Sequence, residues 1–295
     1  MLHLTVVNLG SLNIDRVFRV AHIGAPGETI AAESLEVFAG GKGLNQSIAL
    51  ARAGARVYHA GKIGPDGGWL LDKLAADGVD VRRVQVGDGL TGQAIIQVDR
   101  AGENSILLWP GANAEITPEE IDAALSDVPR GAWLLVQNET SSVDHAMRRA
   151  KELGLRVACN PAPLDGRVSN YPLELVDLLC VNQIEGRALS DRDAPEDIAE
   201  ALSERLPQAE VLVTLGAAGV VYRQGSLALA EPAPQVAACD TTAAGDTFLG
   251  YFLAGRLAGD NPRQALARAC RAAALAVTRR GASDSIPQAA EVGGG

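Results

Sequence analysis

The run Asp240-Thr241-Thr242-Ala243-Ala244-Gly245-Asp246-Thr247-Phe248 sets a carboxylate among small residues just ahead of an apolar stripe, Phe248, Leu249, Phe252, Leu253 and Leu257. The stripe recurs at the three-and-four spacing of a helix face. That predicts Asp246 in the first helical turn, with the amides of Ala243, Ala244 and Gly245 left open as an anion site. A carboxylate beside such amides would repel a bound phosphate. The pairing has a use when a hydroxyl comes between the two, giving its proton to Asp246 while its oxygen attacks phosphorus. An acid here also suits a plain helix cap, and the run alone does not choose.

The second cluster is Phe38-Ala39-Gly40-Gly41-Lys42-Gly43-Leu44-Asn45-Gln46, which leads straight into a helix-period stretch. Its spacing is not that of a Walker phosphate loop, and no Ser or Thr follows Lys42. Its adjacent glycines let a ligand approach main-chain amides at a helix start. A glycine-rich strand-to-helix turn with a solvated lysine has the same spelling.

The elements that must position these clusters follow from the apolar pattern. Leu4 to Leu9, Val57 to Ile63, Trp133 to Val136, Val157 to Cys159, Leu178 to Val181 and Val211 to Leu215 read as strands. Gly43 to Ala53, Trp69 to Ala76, Val143 to Leu153, Ile198 to Leu206 and Pro262 to Arg279 read as helices. Near-continuous apolar strands alternating with amphipathic helices predict an α/β fold, a mainly parallel sheet covered on both faces. Thr29 to Phe38 and Thr91 to Leu108 break this rhythm. Alternation at Ala94, Ile96, Val98 and then Ile106, Leu108, about a turn at Asp99 to Gly102, predicts a small β flap inserted into the body. Its lid segments fall at about residues 12–40 and 91–110 of a single 1–295 domain, and an apolar flap face would favour pairing with a second copy.

Composition narrows the partners. With 26 basic against 36 acidic residues the net charge is −10, an unfavourable background for a nucleic-acid backbone. No apolar run reaches the length of a membrane span, and the opening residues lack a secretory signal pattern. Cys159, Cys180, Cys239 and Cys270 form no C-x-x-C pair, which fits reduced thiols in a cytoplasm.

Taken together, Gly40-Gly41-Lys42-Gly43-x-Asn45-Gln46 and Asp240-Thr241-Thr242-Ala243-Ala244-Gly245-Asp246 resemble the two signatures of the PfkB-type, or ribokinase-like, sugar kinase family. Gly10 to Asp15, Pro26 to Thr29, Pro110 to Ala114, Asn160 to Pro163 and Val277 to Ala282 resemble further segments of its ribokinase branch, in order, over nearly the whole chain. The resemblance implies a three-layer α/β/α sandwich with a small β-sheet lid, and transfer of the γ-phosphoryl group of ATP to the 5-hydroxyl of D-ribose. A kinase for another sugar or nucleoside (2-deoxyribose, fructose, adenosine-type) stays open, as does a non-catalytic sugar-binding protein on the same fold.

Residue by residue, the likeness implies that Asp246 is the general base and that Ala243, Ala244 and Gly245 form the anion hole. Asn13, Asp15, Gly40, Gly41, Lys42, Asn45 and Glu139 would hold the sugar, Asp15 and Glu139 each following the carboxyl end of a strand. Asn182, Glu185, Thr214, Gly216, Gly219 and Gly245 would meet the nucleotide, with Glu185 holding magnesium through water. A potassium ion would sit at Asp240, Thr242, Ala276, Arg279, Gly281 and Ser285, mostly on carbonyl oxygens. Two positions depart from the wider pattern. Ala243-Ala244 replaces a more common Gly-Ala, and the large ring of Trp109 lies beside the flap, where it would stack on a sugar face or pack at the hinge.

Overall fold

The computed structural model describes residues 5–293. Leu4, expected to open the first strand, lies outside them, as do the rest of Met1 to Leu4 and the last two glycines. The first part of the chain forms β1 (Thr5–Leu9), β2 (Asn13–Arg19), β3 (Ser34–Gly40), α1 (Lys42–Arg52), β4 (Arg56–Ile63), α2 (Gly68–Ala76) and β5 (Asp80–Val86). Next come β6 (Gly92–Val98), β7 (Asn104–Trp109), α3 (Pro118–Leu125), β8 (Trp133–Gln137), α4 (Val143–Glu152), β9 (Arg156–Asn160), β10 (Leu178–Asn182) and α5 (Gln183–Ser190). The last part holds α6 (Pro195–Arg205), β11 (Glu210–Thr214), β12 (Val220–Gln224), β13 (Leu227–Glu231), α7 (Ala244–Ala258) and α8 (Pro262–Ala276).

Among the described residues the body is a nine-stranded sheet in the order β13-β12-β11-β10-β9-β8-β1-β4-β5, parallel except for the antiparallel pairings of β12 and β13. Two apolar clusters explain why its strands read as unbroken apolar runs. Val6 of β1 faces the cluster that includes Leu44, Ile48, Phe252 and Leu266, while Val7 faces the one that includes Ile121, Met147 and Ile198. Successive strand residues point to opposite faces, so a sheet covered on both sides needs apolar residues at every position. Helices α1, α2, α7 and α8 cover one face and α3, α4 and α6 the other, giving three layers.

A second sheet, in the order β3-β2-β6-β7, stands apart from the body. Its register runs Asp15 beside Ala94 of β6, and Ala94 beside Leu108 of β7. Asp15, Val17, Ala94, Ile96, Ile106 and Leu108 therefore share one face, and Leu107 and Trp109 lie on the other. Trp109 is thus on the face opposite Asp15.

The larger departures from the sequence pattern lie at β3, α8, β2 and β5. The strand expected over Thr29 to Phe38 is Ser34–Gly40, and the helix expected to reach Arg279 ends at Ala276. Asn13–Arg19 and Asp80–Val86 are strands that the pattern missed, because each carries two arginines and an aspartate in place of an apolar run.

Candidate active site

The glycine turn is the reversal between β3 and α1. Gly41, at φ 95°, adopts a backbone conformation that L side chains rarely take, and a Cβ there would lie 2.8 Å from the Ser11 carbonyl oxygen. A Cβ on Gly40 would come within 2.0 Å of an Asp15 carboxylate oxygen, so this glycine lets the acid close against the turn. Asp15 does not follow the carboxyl end of a body strand, as expected. It lies inside β2, three residues into the flap sheet. Burial, with the Glu139 charge adding to it, pushes the Asp15 carboxyl up to about 7.

Glu139 does follow a strand end, two residues beyond β8. One of its oxygens accepts from the Ser11 hydroxyl at 2.5 Å and from the Lys42 amide at 3.0 Å. The same Ser11 hydroxyl oxygen accepts from the Gly43 amide at 3.2 Å, so the β1 loop, the turn and the acid form one unit. Asn13, buried, accepts from the Asn113 side-chain amide at 2.8 Å.

Asp246 is the third residue of α7, as the spacing predicted, and is 6% exposed. Its two oxygens are held by side-chain amides of α1, Asn45 at 3.1 Å and Gln46 at 2.8 Å. The Lys42 ammonium feels this charge. Asp246 raises it above the ordinary lysine range against its burial, and Glu139 and Glu185 act in the same direction. Lys42 thus stays a cation in the middle of the acids. Ahead of Asp246, Ala243 is left-handed at φ 60° and Ala244 donates only a long bond of 3.3 Å to the Thr241 carbonyl. Helix geometry leaves the amides at the start of α7 aimed outward, without partners within the helix. A buried carboxylate, a lysine cation and helix-start amides thus meet at the carboxyl ends of β1, β8 and β10, where open α/β sheets collect ligands.

The nucleotide expectation divides in two. Thr214, Gly216, Gly219 and Gly245 line one cavity of about 320 Å³, closed on its apolar side by residues such as Phe248 and Ala273. Asn182 and Glu185 are outside that lining, at the end of the neighbouring β10. They cap α5 reciprocally, Asn182 accepting from the Glu185 amide at 2.8 Å and Glu185 accepting from the Asn182 amide at 2.9 Å. The cap uses one Glu185 oxygen and leaves the other for a water of a hydrated magnesium ion, which suits a metal that keeps its waters. Among the described residues no three His, Cys, Asp or Glu side chains cluster as a metal cage.

For the potassium positions, Asp240 accepts from the Thr242 amide at 2.9 Å, the Thr242 hydroxyl at 2.6 Å and the Gly281 amide at 3.0 Å. Burial alone would raise its carboxyl; those donors outweigh burial and hold it below the usual carboxylate range. One acid therefore gathers residues 240, 242 and 281. The Ala276 carbonyl accepts from the Arg279 amide at 3.0 Å, the Arg279 side chain pairs outward with Glu291, and Ser285 is buried with its hydroxyl on the Ala282 carbonyl. The gathered loop fits a carbonyl-held cation, while the side chains of Arg279 and Ser285 are committed elsewhere.

Residues 4–289 match the pfkB family carbohydrate kinase. The chain belongs to that family. It is 36% identical over 294 residues to the ribokinase of Haemophilus influenzae, covering 96% of this chain and 95% of that one. The solved ribokinase of Thermotoga maritima is 35% identical with a TM-score of 0.88, covering 98% of both chains. The ribokinase of Arabidopsis thaliana, solved with ribose and ATP, is 28% identical with a TM-score of 0.85, covering 98% of this chain and 97% of that one. The α/β kinase fold expected from the two signatures is therefore the fold found.

Several site residues lay outside the sequence reading. Ser11, Gln46 and Asn113 each orient an expected residue through a side-chain bond, and Asn160 accepts from Gln46 at 3.1 Å. All four lie in segments that resemble the family, yet nothing in a motif tells a positioning side chain from a bystander.

Proposed function

We propose that this kinase transfers the γ-phosphoryl group of ATP to the 5-hydroxyl of D-ribose. The observation that carries the reading is Asp246, buried among amides and fixed beside the open start of α7, in a chain related over almost its full length to ribokinases. In this reading Asn13, Asp15, Glu139 and the Gly40–Lys42 turn hold the sugar hydroxyls. A carboxylate accepts them directionally and so discriminates against a sugar lacking one. Asp246 takes the proton of the attacking hydroxyl, late, because a loose transition state needs little nucleophile charge. The amides at Ala243, Ala244 and Gly245 and the Lys42 ammonium stabilise charge on the transferring group. Glu185, through water, would hold a magnesium ion, which when bound would supply neutralisation of the nucleotide's phosphate charge.

The remaining assignments belong to the same proposal. Potassium occupies the Asp240 loop, the apolar flap pairs with a second copy into a homodimer, and the enzyme works in the cytoplasm. The free thiols of Cys159, Cys180 and Cys270, all buried, suit that compartment, and among the described residues no helix is long and apolar enough to cross a membrane. ADP release measured over D-ribose, 2-deoxyribose, fructose, nucleosides and 2-keto-3-deoxygluconate tests the substrate. D-Ribose is expected to lead, and a clear preference for any other compound overturns the ribose assignment. Equal turnover in choline buffer and in potassium removes the cation.

A further inference from the structure

The side-chain amide that steadies Asp246 is the end of a longer chain running into the body. Gln46 Nε2 donates to Asp246 Oδ1 at 2.8 Å and to Asn160 Oδ1 at 3.1 Å, so both its protons are spent and its Oε1 must accept. Gln137 Nε2 donates to that Oε1 at 2.8 Å and to Asn8 Oδ1 at 2.9 Å. Asn8 Nδ2 donates to the Ser47 hydroxyl oxygen and to the Gly43 carbonyl, both at 2.8 Å. The Ser47 hydroxyl lies 2.8 Å from His59 Nδ1, and His59 Nε2 lies 3.1 Å from the Gly10 carbonyl.

The last contact fixes the direction at one end of the run, as the Gly43 carbonyl does at Asn8 and the Asp246 carboxylate at Gln46. A backbone carbonyl only accepts, so His59 carries its proton on Nε2 and Nδ1 accepts from Ser47. Ser47 then accepts from Asn8, Asn8 from Gln137, and Gln137 donates to Gln46, whose NH₂ is left facing the Asp246 carboxylate. The ring is fully buried, which pushes its basicity down to about 4, so it holds this neutral form. Asn8, Gln46, Ser47 and His59 are 0% exposed and Gln137 is 1% exposed, so water does not reorder them. Gln137 Oε1 is buried without a partner. That orientation is explained by what the other end of the amide donates to.

We propose that His59, Ser47, Asn8 and Gln137 are positioning residues. Through Gln46 they lock a donor onto Asp246 and so aim the carboxylate that receives the sugar's proton. The proposal rests on that role of Asp246, so its test pairs kinetics with a readout that needs no turnover.

In Gln137→Glu the side chain at 137, when ionised, only accepts. Gln46 must then turn its NH₂ toward it and present a carbonyl oxygen to Asp246. Expected are a kcat at least about tenfold lower and a sugar KM within about twofold, measured per folded protein. The side-chain amide resonance of Gln46 in ¹⁵N NMR is expected to move both in this variant and in Asp246→Asn. At the far end, His59→Leu removes the acceptor and is expected to lower kcat about fivefold, while His59→Asn keeps an acceptor at the δ position and holds kcat within about twofold of wild type. A merely structural chain would lower the melting temperature in all of these and leave kcat per folded protein and the Gln46 resonance unchanged; that result overturns the proposal. A wild-type protein that turns over no sugar, with the resonance shifts intact, defeats the functional reading and leaves the chain standing.

Discussion

Beneath Asp246 the body is packed with polar side chains that have given up water. Gln46, Gln137, Asn8, Ser47 and His59 are all buried, their hydrogen bonds run from one to the next, and buried Asn45 donates to Asp246 beside them. The flap above Asp15 is the reverse. Every residue of β7 is exposed, Leu107 at 68%, and Leu35 and Val37 of β3 face solvent too. A polar group in a low-dielectric interior is expensive to leave unpaired, so the floor has a single arrangement that exists before substrate arrives. An apolar strand in water gains by being covered, so the flap's preferred state depends on a partner surface. On the proposed function, the chemistry is preorganised in the body, and closure and sugar selection are assigned to the element that is least settled alone.

The largest test of that division is Asp246→Ala. Removing a general base from a preorganised floor is expected to reduce kcat by about 10²- to 10⁴-fold with sugar affinity nearly unchanged, read by steady-state kinetics and calorimetric sugar binding. A comparable loss of affinity would mean that the floor and the sugar cradle are not separate. Next, Leu107→Glu should act on the flap alone. Sedimentation velocity is expected to show a homodimer for wild type and a monomer for the variant, with the melting temperature of the body little changed. Unchanged association would place any interface elsewhere.

A subtler effect belongs to Asp15, which sits where the two regions meet. Its carboxyl is raised from an ordinary 3.8 to about 7, so the folded free protein binds a proton there that the unfolded chain has lost. The stability from this group is therefore full below about pH 4 and falls away as pH rises to about 7. Sugar hydroxyls donate to the ionised form, so sugar binding near pH 6.5 should release a proton. Affinity should weaken by up to about tenfold per pH unit below 7. Calorimetry in buffers of different ionisation enthalpy measures both, and binding with no proton exchange would return Asp15 to an ordinary solvated acid. The smallest expected effect is at Ala243, whose left-handed backbone costs about 1 kcal/mol relative to glycine. Ala243→Gly should stabilise the protein by about that amount in urea titrations while preserving kcat.

How much of this could be read from the chain follows from the same contrast. Strands covered on both faces announce themselves as apolar runs, and the stripe from Phe248 to Leu257 is enough to place Asp246 in the first turn of α7. Asn13–Arg19 was hidden because its alternate residues face a cleft or solvent. Asp15, expected just past the carboxyl end of a strand, belongs to a strand itself. Helix α3 begins with the capping box of Thr117 and Glu120 around Pro118, a helix-start signal written in the sequence. The Gln46 chain was beyond reach, since its partners at 8, 137, 160 and 246 meet only through the fold.

The central claim concerns where one oxygen lies, and a crystal structure of the protein with D-ribose and a β,γ-methylene analogue of ATP measures it directly. The sugar's 5-hydroxyl is expected about 2.6–3.2 Å from an Asp246 oxygen, on the line into the γ-phosphorus, with the α7 amides on the phosphoryl oxygens. A 5-hydroxyl directed elsewhere, with Asp246 bound to Asn45 and Gln46 and to nothing of the substrate, would contradict the account.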